Sequence, residues 1–194
     1  MQKYAIVFFL FSCFSTIGHS QSTYQIDVTH TFINFGVERF MVGEVTGRFN
    51  EFSGYLSYNP EDLNQTKIEV SIKTGSIDTG FEIRDGHLKS NVWLDAEKFP
   101  EINFKSKRVF LKNDQTFITG DLIIHGVKQE VTFPIVIKGP FIDPTNSKTI
   151  AITGELIVNR QDFGITFSKK MDNGHLFIGN EVKISIRALA VIVE

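Results

Sequence analysis

Four runs along the chain alternate apolar and polar residues with a period of two, the pattern of a strand with one face buried and one in water. In "TKIEVSIK" Ile68, Val70 and Ile72 point one way, and Lys67, Glu69, Ser71 and Lys73 point the other. "EVTFPIVIKG" sets Val131, Phe133, Ile135 and Ile137 on one face, and "TIAITGELIVN" does the same with Ile150, Ile152, Leu156 and Val158. "EVKISIRALAVIVE" carries Val182, Ile184, Ile186, Ala188 and Ala190 in phase. Weaker alternation predicts strands in "TYQIDV", "FINFGVERF", "RFNEFSGYLSY", "EINFKSKRVFL" and "TFITGDLIIHG". "YNPEDLNQ" reads as a loop, "KNDQ" and "HGVKQ" as hairpin turns, and "GPFIDPTNSK" as a longer connection. Strands joined mostly by short turns pair antiparallel, so the pattern predicts an all-β barrel or sandwich.

One stretch breaks the alternation. "SIDTGFEIRDGHLKS", residues 76–90, crowds Asp78, Glu82, Arg84, Asp85 and His87 together. Thr79 to Glu82 has the form of a capping box, with Thr79 as N-cap and Glu82 reaching back, and predicts a short helix over 80–90. Phe81, Arg84, Asp85 and Leu88 share one face of it, two apolar anchors around an Arg–Asp pair. Gly86 weakens the helix, which suits a lid or plug better than a core element. "NVWLDAEKFP" continues irregularly until Pro100 marks entry to the next strand.

The chain has 194 residues, of which 42% are hydrophobic and 22% charged, a composition that suits one globular domain. The opening "MQKYAIVFFLFSCFSTIGHSQS" stands apart from the strand pattern. Lys3, an apolar run from Tyr4 to Phe14, and the small residues Gly18 and Ser20 read as a secretory signal peptide over 1–20, with 21–194 as a single domain. As a membrane anchor the apolar run falls short of the roughly 20 residues a span needs. As a lipoprotein signal ending at Cys13 it carries bulky Phe11 where a small residue is expected. Cleavage after Ser20 leaves a chain without cysteine, hence without disulfide or thiolate chemistry, in the periplasm or secreted. Without Lys3, 19 basic residues face 22 acidic ones. No basic patch suits nucleic acid, and no second apolar segment suits a stable membrane span. The oligomeric state stays open, a homodimer included.

Candidate chemistry is sparse. Ser76 or Ser90, His87 and Asp85 supply the residue types of a nucleophilic triad, but without a nucleophile-elbow pattern. His30, His87, His125 and His175 are scattered singly, at none of the spacings that hold a metal. Aromatic residues say more. Fifteen of the nineteen phenylalanines follow the leader, many of them in strands or beside the lid segment. They fill a solid core or line an elongated apolar cavity, and composition alone leaves both readings open.

Taken in order, the pieces resemble the YceI-like family of polyisoprenoid-binding proteins. The resemblance rests on "YQIDVTHTFINFGV", "GRFNEFSGYLSYNPEDLNQTKIEVSIKTGSIDT", "RDGHLKSNVWLDAEKFPEINFKS", "ITGDLIIHGVKQEVTFPI", "NRQDFGI" and "GNEVKISIRALA". The family's usual His-Ser near the first strand is His30-Thr31 here, and Glu38 stands where a histidine often follows the second strand. The resemblance implies an exported lipocalin-like antiparallel barrel, with a long-chain isoprenoid lipid in its interior and neither catalysis nor a cofactor. The ligand-binding residues that follow are Phe35, Phe40, Phe49, Phe52, Ile68, Val70, Ile72, Phe81, Arg84, Asp85, Leu88, Trp93, Phe104, Phe133, Phe163 and Phe167. Arg84 and Asp85 then pair with each other or with backbone ends, or meet the lipid's head group. The rival readings are an enzyme acting on such a lipid through His87 or His125, and a packed structural or stress protein without ligand.

Overall fold

A computed structural model of the protein describes residues 22–193, so the leader reading of 1–20 lies outside the described residues. Eleven strands form one antiparallel sheet: β1 Ser22–Ile26, β2 Phe32–Arg39, β3 Gly43–Phe49, β4 Phe52–Tyr58, β5 Lys67–Lys73, β6 Ile77–Asp78, β7 Glu101–Lys112, β8 Gln115–Ile124, β9 Val127–Ile142, β10 Lys148–Asn159 and β11 Ile178–Val193. The order β1-β4-β5-β7-β8-β9-β10-β11 closes on itself through β1 and β11, giving an eight-stranded barrel. The one α-helix among the described residues, α1 Glu82–Lys89, lies between β6 and β7.

Three staves of the barrel break part-way up. β11 pairs with β1 over Ala190–Val193 at the lower end, and with β2 over Val182–Arg187 above it. β2, β3 and β6 thus continue β1, β4 and β5 upward. The first break is a polar device. Thr31 is buried, and its hydroxyl accepts from the Leu189 N–H at 3.1 Å and lies 3.3 Å from the Leu189 carbonyl as donor. A side chain there stands in for the missing ladder rung. The Asp27 carboxylate holds the kink by accepting from the Thr29 N–H and hydroxyl and from His30 Nδ1. The Thr29 hydroxyl, and then His30, pull the Asp27 pKa down to about 2.

The pattern in the sequence found the strands but not all their limits. "RFNEFSGYLSY" is the end of β3 and the whole of β4, divided at 50–51. "GPFIDPTNSK" is mostly strand, because Gly139 and Pro140 sit at a bulge in the β9–β10 ladder, where a residue without N–H is tolerated. Only 143–147 turn, around an Asp143 carboxylate that accepts from the Thr145 and Ser147 N–H groups. The helix begins at Glu82, with Phe81 as an N-cap that makes no side-chain bond, and the expected capping box does not form. Gly80, at φ +74, turns the chain between Thr79 and the helix. Asp85 rather than Glu82 therefore reaches back, accepting from the Thr79 N–H at 2.9 Å.

Candidate functional site

Side chains fill the two halves of the barrel differently. At the lower end Tyr24, Leu56, Val109, Ile150 and Ala190 are all at most 2% exposed and form a packed floor. Burial pushes the phenols of Tyr24 and Tyr58 up, as a dry setting requires. Above that floor the inward faces do not meet, and they enclose a cavity of about 740 Å³. That is the size range of ligand pockets. Ile68, Val70 and Ile72 line it from β5, Phe133 and Ile135 from β9, and Ile184, Ile186 and Ala188 from β11.

Thirteen of the sixteen residues proposed from sequence lie on this wall. Phe35 and Phe49 enter from β2 and β3 with ring centroids 5.7 Å apart, and the absence of a side chain at Gly47 leaves room for the Phe35 ring. Phe104 meets Phe133 at 5.8 Å, and Trp93 meets Phe167 at 5.1 Å. Phe163 anchors the wall from the turn after β10, and Phe81, Arg84 and Leu88 come from the lid. Phe40, Phe52 and Asp85 are elsewhere. Phe40 sits in the β2–β3 turn, edge-on to Phe177 at 4.4 Å. Phe52 is half-buried at the β3–β4 break. The mouth is marked by wall residues that are also exposed: Phe81, Ile83, Val92 and Phe167.

Arg84 and Asp85 do not form an ion pair. Both fasten on Thr79, whose hydroxyl donates to Asp85 and accepts from Arg84 Nε, while Arg84 Nη2 donates to the Thr79 carbonyl at 2.8 Å. The pair pins the start of the lid to β6.

A second polar group occupies the turn after β10. Asn159 caps a 3-10 turn over Arg160–Phe163 by accepting from the Gln161 N–H, and Gly164 ends it in the left-handed region. That turn folds Arg160 inward, 4% exposed. Its guanidinium donates to the carbonyls of Gly179 and Ile165 and to Asn180 Oδ1. It also lies 5.4 Å from the Trp93 ring centroid, and burial pulls it below the usual arginine range.

No catalytic constellation assembles among the described residues. The Ser76 and Ser90 hydroxyls both donate to backbone carbonyls, of Lys73 and His87. His125 contacts the Phe163 carbonyl and the Phe99 ring, and the His30–Asp27 contact belongs to the β1–β2 kink. No group of three metal-ligating side chains gathers among the described residues.

The model of the YceI-like domain matches residues 24–190, nearly the whole barrel. The chain belongs to the YceI-like family. A protein named YceI from Salmonella newport (strain SL254) is 32% identical over 169 residues, covering 86% of this chain and 88% of that one. The crystal structure of Burkholderia cenocepacia BcnA superposes with a TM-score of 0.74 at 21% identity, over 84% of this chain and 98% of that one. A polyisoprenoid-binding domain from Saccharophagus degradans superposes with a TM-score of 0.67 at 14% identity, over 90% of this chain and 100% of that one. At such identities the structural likeness speaks for the fold.

In this YceI-like barrel three charged wall residues, Arg39, Arg160 and Lys169, were not expected from sequence, and Glu38 was noted only as standing in a histidine's place. Arg160 lies within "NRQDFGI", a stretch that carries the family resemblance. A cation between an asparagine cap and a closing glycine at a strand end was the available signal. Arg39 gave none, since a basic residue closing an alternating strand looks like a solvated one.

Proposed function

We propose that the protein is an exported carrier that sequesters a long-chain isoprenoid lipid, of the polyprenyl phosphate or isoprenoid quinone type, in the barrel's upper cavity. The observation that carries this reading is the apolar cavity of about 740 Å³, closed below by a packed floor and open above beside a short helix. Family membership supports it, as does the printed description of the Saccharophagus degradans domain as polyisoprenoid-binding. Binding of this kind needs no reactive group. Each buried CH₂ contributes about 0.8 kcal/mol, so a long chain binds tightly even after the entropy of ordering it. The leader-like residues 1–20 support export as a single free domain beginning at Gln21.

Solvent extraction of protein purified without detergent, followed by mass spectrometry, tests the reading. A stoichiometric prenyl lipid is expected. Protein that yields no lipid, and takes none up from added prenyl lipid, would favour a packed structural role. N-terminal sequencing of the exported protein should begin at Gln21, and a lipidated start at Cys13 would replace the free carrier with a tethered one.

A further inference from the structure

We propose that the lipid enters this cavity as an anion, its phosphate-class head group held by Arg160 and Arg39 at one corner of the mouth. The inference rests on the lipid-binding reading above and specifies the head group. Arg160 is a buried cation on the cavity wall whose three hydrogen bonds all go to neutral acceptors. No carboxylate lies within 4.0 Å of it among the described residues. A guanidinium carries five N–H donors, so these contacts leave donors over. Arg39 repeats the situation higher up. Its Nε is buried without a hydrogen-bond partner, and its guanidinium is stacked at 4.7 Å from Phe40 and 5.4 Å from Phe177. A buried cation such as Arg160 is costly unless something negative faces it, and the half-buried Arg39 shares that cost at its Nε.

The two arginines flank the same piece of backbone. Arg39 is the ladder partner of Ile178, and Arg160 donates to the carbonyl of the next residue, Gly179. Lys169 adds a third cation, 5.7 Å from the Phe177 ring. With Arg84, the wall carries four cationic side chains against one carboxylate, Glu38, in a chain whose net charge is −2. The positive corner is therefore local. A phosphate matches the planar fork of arginine, and the low dielectric of an apolar cavity strengthens the contact. A neutral alcohol or quinone would leave these donors poorly matched.

The test compares two ligands with the same tail. Lipid-stripped protein is titrated with geranylgeranyl monophosphate and with geranylgeraniol. The monophosphate should bind about tenfold tighter or more, as a charged hydrogen-bonded contact implies, and the preference should shrink with added salt. Arg39→Gln should cut the ratio of phosphate to alcohol affinity severalfold. It is the safer variant, because Arg39 Nε makes no hydrogen bond to lose, whereas the Arg160 guanidinium makes three. Arg160→Gln should act in the same direction and more strongly if it folds. Equal affinity of wild type for phosphate and alcohol overturns the anionic head group and leaves the lipid carrier standing. Failure of both ligands to bind overturns the two together.

Discussion

The lower and upper halves of this barrel share their staves but not their interiors. Below, β1 and β4 lie directly between β11 and β5, and the inward side chains of Leu56, Val109, Ile150 and Ala190 meet at the axis. Above, the same staves resume as β2, β3 and β6, and β3 meets β6 over only two rungs. The segment containing α1, rather than a strand, links β6 to β7. The inward faces there are just as apolar, with Phe35, Phe49, Phe104 and Phe133 on them, yet they leave a cavity. Apolar inward residues are thus necessary for both a core and a binding chamber. What separates the two is whether the staves stay in register far enough for opposite walls to touch.

The largest expected effect lies in the floor. Leu56→Ala removes a side chain 1% exposed in a part of the barrel with no slack, and should cost about 2–5 kcal/mol in urea denaturation. Leu88→Ala, on the half-buried lid above the cavity, should cost clearly less. If the two losses are equal, the upper half is as tightly packed as the lower and the contrast collapses.

Adding volume should split the halves next. Ala190→Leu in the floor should overpack and destabilise by about 1–3 kcal/mol. Val70→Trp on the cavity wall should displace lipid, while the lipid-free variant melts no lower than lipid-free wild type. Both comparisons must be made without lipid, since a ligand bound only to the folded state raises its stability by mass action. A Val70→Trp protein that keeps its lipid and melts low would show that β5 faces packed core.

The lid stands between these extremes. Asp85→Ala removes the acceptor for the Thr79 N–H and hydroxyl, and should cost about 0.5–1.5 kcal/mol, the net range for a typical hydrogen bond. Arg84→Ala should loosen the same knot, which a faster release of bound lipid would report. An unchanged melting temperature together with an unchanged off-rate would make the segment a surface turn with no part in closing the cavity.

How much of this was legible in the sequence follows from what period-two alternation encodes. Ile68, Val70 and Ile72 gave the inward face of β5 because each strand residue flips the side chain to the other face. The break at 50–51, and the contacts that hold the anticipated breaks at 27–31 and 74–76, were not legible. They depend on partners far away in the chain, such as Leu189 for Thr31 and the Phe99 carbonyl for Thr74. The turn chemistry of "GPFIDPTNSK" misled, because a bulge absorbs Gly139 and Pro140 and lets the strand run on. Arg84 and Asp85 were read as pairing with each other, with backbone ends or with a head group, and the turn at Gly80, with its positive φ, sets both against the Thr79 backbone and hydroxyl. Arg39 and Arg160 were invisible as a pair because only the β2–β11 register sets them around one stretch of backbone.

The smallest effect expected is at the hinge between the halves. Asp27 keeps the β1–β2 kink by accepting from Thr29 and His30, and these contacts hold its pKa at about 2, against an ordinary value of 3.8. A carboxyl whose pKa is depressed by folding contributes stability above its unfolded pKa, and that contribution is lost as pH falls through the folded value. Wild type should therefore lose this contribution between about pH 4 and pH 2. Asp27→Asn should melt slightly lower than wild type at pH 7, with the difference fading across that window. The effect is small because the site is largely open to water, where screening weakens such contacts. It bears on the two halves because the buried Thr31 hydroxyl that bridges the broken ladder at Leu189 lies at the far end of the same kink. If Asp27→Asn matches wild type at both pH values, the kink is held by Thr31 and the backbone alone. The carboxylate would then have no part in separating floor from cavity.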